Sequence, residues 1–447
     1  MKVPFPAKRA AAEASRPYEP KSVLELRGSP SPVGEQKIIS ELEDHVLISP
    51  QLDEWDSLMR DLGLHDDPNP DFGLLSDIPP QNPIADLVGS DYVDDLIRLA
   101  ECFETNSLQL AHLILARLNQ RLRSASGKPL QRAAFYLKEA LQSLLTGSTP
   151  PMHQPQEIIH TIKAHKTFSS ISPIPMFSSF TANQALLDAL HGSMLLHVID
   201  FDIALGGHWA SFLRDLSDNP DARNPALRIS ALVPEDYAAE STLIRDNLTH
   251  FARELNISFE IDFVLIRTFE YLSFKSIKFV QGEKLAVLLS PAIFRHVGTA
   301  FLNDLRRLSP HVVVHVDAEG QMGFGTTSYR QAVIDGLEFY STLLESLEAA
   351  NFNGAGAGDW MRKIETFVLY PKILEGVEAA GRRGTAWREA LVAAGMRQVG
   401  LSQFAEFQAE CLLRRVQVRG FHVVKRQAEM MLCWHDRPLV ATSAWRF

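Results

Sequence analysis

The sequence predicts an α/β fold, a doubly wound sheet that ends in an antiparallel hairpin and is preceded by an all-helical block. Three observations carry this. Between residues 195 and 349 five short apolar runs alternate with stretches of helical periodicity, the order that sets parallel strands between crossover helices. Ahead of the first run lies a block whose periodicity is helical throughout. At the C-terminus two extended segments are separated around Asp436-Arg437-Pro438 and read as the closing hairpin.

Of the 25 prolines, 12 fall within the first 85 residues, among steps such as Gly28-Ser29-Pro30-Ser31-Pro32 and Asp66-Asp67-Pro68-Asn69-Pro70. Such a composition cannot bury enough apolar surface to offset chain entropy, so 1–84 is expected to be a disordered regulatory tail. Two apolar islands inside it, 38–62 around Trp55 and 72–78, read either as weak transient helices or as acidic-hydrophobic segments that fold on a partner.

From Asp94 to Leu122 apolar residues return at helical spacing: Leu96, Leu99, Ala100 and Phe103, then Leu110, Leu113, Ile114, Ala116 and Leu118. After the Gly127-Lys128-Pro129 break a second helix is expected over Leu130–Leu145. Residues 85–447 thus form one domain, with a mainly helical cap at 85–190 and an α/β core at 191–447.

The core opens on Leu195–Phe201, an apolar run that ends in acid and is followed by Gly206-Gly207. It reads as a buried strand feeding a helix from about His208-Trp209. Leu227–Val233, Ser258–Leu265, Lys284–Leu289 and His311–Val316 are the next four strands, with helices over Thr242–Leu255, Ala300–Leu308 and Tyr329–Ala349. Phe421–Trp434 and Leu439–Trp445 pair as the hairpin. This Rossmann-like order is that of the class I methyltransferases, a fold analogy that carries no chemistry by itself.

Bulk properties narrow the function. The 447 residues are 46% hydrophobic and 22% charged with a net charge of -10, ordinary for a soluble protein and unsuited to general coating of nucleic acid. Cys102, Cys411 and Cys433 stand far apart, which indicates neither a zinc cluster nor a disulfide framework. No run of about 18 apolar residues suggests a membrane span, and Lys8-Arg9 lacks the apolar stretch of a secretory leader.

A methyltransferase receives its adenosyl cofactor on an acid-x-Gly-x-Gly-x-Gly turn after the first strand, where backbone must approach the ligand closely. Here the stretch is Asp200-Phe201-Asp202-Ile203-Ala204-Leu205-Gly206. Asp202 and Ala204 replace the first two glycines, and only Gly206, with Gly207 beside it, remains. Glu235 and Asp236 follow Pro234 too late to grip ribose hydroxyls. The pattern predicts no methyl transfer and no bound cofactor. His197, on the first strand, reads as a satisfied core residue rather than a ligand. The alternative to a regulator is a small-ligand sensor on a degenerate methyltransferase fold.

Leu196-His197-Val198-Ile199-Asp200-Phe201 resembles the VHIID signature of the GRAS family, and Gly206-Gly207-His208-Trp209-Ala210-Ser211-Phe212-Leu213 resembles its continuation. The helical block resembles the family's first leucine-rich region. Arg330, Tyr340 and Leu347 resemble its PFYRE region, and Lys363-Ile364-Glu365 with Pro371-Lys372-Ile373 its RVER segment. Cys433 through Leu439 and Ser443-Ala444-Trp445 are similar to its SAW motif. His208 departs from the family's glutamine, and Thr366 interrupts the RVER pattern. Lys21-Ser22-Val23-Leu24 and Ile114-Leu115-Ala116-Arg117-Leu118-Asn119 resemble the HAIRY MERISTEM (scarecrow-like) branch.

The resemblance implies a nuclear, non-enzymatic transcriptional regulator of plant development, with a role in meristem or cell-fate maintenance. It implies no cofactor, no metal and no membrane. Its expected partners are other transcription factors or family members, as homodimer or heterodimer, with direct DNA contact by some members. Leu141, Leu144 and Leu145 form an LxxLL motif, which suits either a partner's groove or ordinary core packing. Arg117, Arg121, Arg123, Lys128 and Arg132, and later Arg382, Arg383, Arg414 and Arg415, would neutralise phosphates if they converge, and otherwise form solvated faces.

Overall fold

The computed structural model describes residues 91–148, 155–218, 225–320, 328–350, 357–380, 386–415 and 418–447. The expected tail with its apolar islands lies outside them, as do Arg382 and Arg383.

The periodic stretch after residue 90 gives two helices, α1 (Asp91–Glu104) and α2 (Leu108–Arg121). Between them Asn106 takes a φ of 53°, a left-handed conformation that asparagine tolerates better than most residues. Helix α3 (Pro129–Thr146) starts on a proline, whose missing N–H is harmless in a first turn, and stops at Gly147 with a φ of 64°. Helices α4 (Pro155–Ile171) and α5 (Pro173–Leu190) complete the block. The Ser172 hydroxyl caps α5 by accepting the Ile174 N–H at 3.3 Å.

The core then alternates: β1 (Leu195–Asp200), α6 (Gly207–Ser217), β2 (Ala226–Val233), α7 (Ala238–Glu254), β3 (Ser258–Leu265), α8 (Ile266–Leu272), β4 (Lys284–Leu289), α9 (Pro291–Val297), α10 (Phe301–Leu308) and β5 (Val312–Asp317). Helices α11 (Tyr329–Ala350), α12 (Ala357–Ile364), α13 (Tyr370–Ala379) and α14 (Trp387–Ala393) lead to β6 (Arg397–Val399) and α15 (Gln403–Arg415). Strands β7 (Phe421–Arg426), β8 (Glu429–Trp434) and β9 (Arg437–Arg446) close the chain. The sheet order is β3-β2-β1-β4-β5-β9-β8-β7, parallel through β5 and antiparallel beyond, with short β6 on β9. This is the methyltransferase-type sheet that the strand order predicted.

One expectation needs correction. Phe421–Trp434 is not one strand of a hairpin but two, β7 and β8, so the closing unit is a three-stranded meander. The chain turns at Gln427, whose φ is 58°. A Gln-Ala step carries none of the Gly or Asn chemistry that marks such turns, so the sequence hid it.

Successive strand residues serve opposite faces. Val198, Ala286 and Val314 join a core shared with α5, α6 and the helical block, whereas Ile199, Val287 and Val313 join a second core with Phe294, Trp387 and Trp445. A buried contact between Thr181 and Thr442 hydroxyls at 2.7 Å ties α5 to β9.

Candidate functional site

Hydrogen bonds and packing hold the segment after β1. Asp200, buried at the strand's end, accepts the Asp202 backbone N–H at 2.9 Å and the Trp209 indole N–H at 2.6 Å. Burial pushes its carboxyl up to about 7 against the pull of those two donors. Trp209, fully buried in α6, therefore locks the turn from below. Gly206 has a φ of 78°, and a Cβ there would meet Ile244 Cγ2 at 2.9 Å, so glycine is required by the helix behind it. Ala204 also takes a positive φ, of 45°. Its carbonyl accepts the Tyr237 hydroxyl, which closes the turn from above.

Beside the turn, four aromatic rings pack together within the second core. Phe201 lies 5.4 Å from Phe269, 6.4 Å from Phe274 and 5.3 Å from Phe301, centroid to centroid. All four are buried, and they come from segments that follow β1, β3 and β4. Asp202, at the first glycine position, is exposed. Glu235 accepts the Arg267 N–H at 3.1 Å.

His197 is the satisfied core residue its position suggested, bonded to Glu283 at 3.1 Å and Ser230 at 2.9 Å. Burial pushes its imidazole down. Beyond β4 and β5, Arg295 pairs with Glu319 and with Glu375, the latter at 3.0 Å, while Lys372 reaches Glu319 at 3.6 Å. Burial would raise the Glu319 carboxyl, but Arg295 and Lys372 outweigh it and hold the group at about 2. His315 stacks on Trp387 at 3.8 Å, and neither of its ring nitrogens has a hydrogen-bond partner among the described residues. Burial pushes it down to about 3. A cavity of about 490 Å³ opens beside Trp387, Arg388, Glu429 and Asp317, lined by none of the residues of the β1–α6 turn.

Among the described basic candidates, Arg117, Arg121, Arg132 and Arg414 stand beside carboxylates. Arg117 pairs with Asp95 at 3.2 Å, and Arg121 with Asp95 and Asp91 at 3.4 and 3.7 Å. Arg123 donates to the Gln120 carbonyl at 3.1 Å. Lys128 sits at the N-cap of α3. Arg132 is buried between Glu348 at 3.0 Å and Glu365 at 3.4 Å, so its charge serves the core and is withdrawn from the phosphate candidates. Arg414 is exposed on α15 beside Glu410, and Arg415 ends the same helix. The LxxLL leucines also face inward: Leu141 is fully buried, and Leu144 and Leu145 pack half-buried on the core. That withdraws Leu141 as a groove-binding residue.

The described residues thus form a methyltransferase-type sheet whose first turn lacks the usual glycines at Asp202 and Ala204. Residues 92–446 match the GRAS domain family, and the chain belongs to that family. It is 48% identical to Scarecrow-like protein 15 of Arabidopsis thaliana over 91% of this chain and 94% of that protein. Scarecrow-like protein 6 of the same plant is 39% identical over 79% of this chain, which spans 62% of that relative. Among solved structures, the crystal structure of SCL7 in Oryza sativa superposes with a TM-score of 0.61 at 24% identity, covering 80% of this chain and 99% of that one. That likeness bears on the fold alone.

Proposed function

We propose that this chain is a nuclear, non-enzymatic transcriptional regulator or co-regulator of plant development that works through protein–protein contacts. The reading is supported by the turn after β1, where Asp202 and Ala204 stand in place of two cofactor-binding glycines and the Tyr237 hydroxyl is bonded to the Ala204 carbonyl. Family membership supports the regulatory reading. Residues 85–447 are the regulatory domain in this account, and 1–84 are its tail. A role in meristem or cell-fate maintenance follows from the branch that residues 21–24 and 114–119 resemble.

Exposed Leu110 and Leu113 on α2, 50% and 67% accessible, favour contact with another family member or with other transcription factors. Direct DNA contact is the lesser part of the reading, because carboxylates already neutralise Arg117, Arg121 and Arg132. Titration of the full chain against duplex DNA from about 50 to 200 mM salt tests this. A shallow, sequence-independent affinity is expected, whereas several released phosphate contacts would weaken binding by about 10³-fold or more over that range. Steep salt dependence with sequence preference would make it a direct DNA reader.

A further inference from the structure

Among the described residues an arginine stands three positions ahead of a serine at Arg121–Ser124, Arg123–Ser126, Arg214–Ser217 and Arg306–Ser309. Serine/threonine kinases of one broad class accept that spacing, because carboxylates in their substrate channel grip the guanidinium bidentately. Such a channel takes the acceptor as an extended strand, so a serine held in a helix end is poorly presented. Ser217 is the last residue of α6 and follows buried Leu216. Ser309 caps α10 with its N–H bonded to the Leu305 and Arg306 carbonyls, and buried Pro310 follows it. Both are held.

Residues 122–128, between α2 and α3, differ. Arg123, Ser124, Ser126, Gly127 and Lys128 are all exposed. From 123 to 127 the backbone makes one bond to another backbone group among the described residues, from the Ser126 N–H to the Ser124 carbonyl at 2.9 Å. Drawing this stretch out therefore breaks little. Arg123 donates its Nε–H to the Gln120 carbonyl at 3.1 Å, and no carboxylate pairs with it among the described residues. Arg121, the arginine ahead of Ser124, is instead engaged by Asp91 and Asp95 at 3.7 and 3.4 Å. Ser126 thus has the freer arginine.

We infer that Ser126 is the acceptor site of an arginine-reading serine/threonine kinase, with Arg123 as the residue the kinase grips. In the transfer the bond between Ser126 Oγ and the γ-phosphorus of a magnesium-bound nucleoside triphosphate forms, and the bond from that phosphorus to the β,γ-bridging oxygen breaks. The hydroxyl proton passes to the kinase's catalytic carboxylate, and the nucleoside diphosphate leaves. Arg121, Arg123 and Lys128 are the charged residues of 121–128, so a phosphate group of charge about −2 would cancel most of that charge. It would also stand just ahead of the first turn of α3, where negative charge is favourable.

The full chain is incubated with magnesium ATP and the catalytic subunit of cyclic-AMP-dependent protein kinase, an arginine-reading probe, and the phosphate is placed by tandem mass spectrometry. Among the four serines, Ser126 is expected to carry most of the early phosphate. Ser126→Ala should remove it, and Arg123→Gln should slow it by at least about tenfold, the scale of one lost charge-assisted contact. Arg307→Gln, on α10, should leave the Ser126 rate unaltered. Both loop changes fall on exposed side chains, so these variants should fold, which circular dichroism checks. Sequence alone would rank Ser309 first, because Arg306 and Arg307 both precede it. Early phosphate on Ser309, Ser217 or Ser124 in place of Ser126 would overturn the proposal. So would an Arg123→Gln rate equal to the parent's, or an unmodified Ser126 under conditions that consume a short arginine-containing control peptide.

Discussion

Replacing Trp209 by alanine should cost about 3–5 kcal/mol for the lost side chain and its cavity, and about 1–3 kcal/mol more for the stranded carboxylate. Trp209 is fully buried, packs edge-on against His208 and Phe212 at 4.9 and 5.4 Å, and donates its indole N–H to Asp200. Nothing else among the described residues is positioned to fill that volume and supply that donor together. Since domains are stable by about 5–15 kcal/mol, Trp209→Ala should be largely unfolded or close to it. Trp209→Phe keeps most of the volume and loses the donor, so it should fold and show the smaller loss alone. Urea unfolding followed by circular dichroism separates the two variants. A Trp209→Ala protein within 1 kcal/mol of the parent, on the scale of an ordinary surface change, would mean that the turn after β1 is held by something else.

Arg295→Met should be nearly as damaging. Only 3% of the Arg295 side chain is accessible, and it stands between Glu319, accessible to 6%, and Glu375. Removing the guanidinium leaves Glu319 as a buried carboxylate with only Lys372 near it, a loss of about 3–5 kcal/mol. Arg295→Met combined with Glu319→Met should recover most of this, because Glu375 and Lys372 are partly exposed and can turn to solvent. The sign of the pH dependence gives a second readout. Glu319 has its folded pKa lowered from 4.5 to about 2, so its contribution is present above about pH 4.5 and is lost as pH falls towards 2. That part of the acid limb should be missing from Arg295→Met. Unfolding curves collected from neutral to acid pH for the three proteins check both claims.

Much of this was legible in the sequence. Strand β4 falls where its apolar run begins and ends, because a strand buried in a parallel sheet writes its limits as a nearly continuous apolar stretch, while β3, at the sheet's edge, shows instead an alternation of Phe259, Ile261 and Phe263 with Glu260 and Asp262. The packing of the phenylalanines beside the first turn was not legible. Phe201, Phe269, Phe274 and Phe301 come from separate crossovers, and no local periodicity links them. Arg132 read as a phosphate candidate for the same reason: its carboxylates, Glu348 and Glu365, arrive from distant helices. The turn at Gln427 escaped because its residues lack turn chemistry.

The loss of the cofactor-binding turn is what the whole account depends on, and isothermal titration of the full chain with S-adenosylmethionine tests it most directly. No saturable heat is expected up to about 1 mM, an affinity weaker than about 4 kcal/mol, because Asp202 and Ala204 replace the glycines on which the ligand would rest. A saturable isotherm in the micromolar range, competed by S-adenosylhomocysteine, would contradict the account.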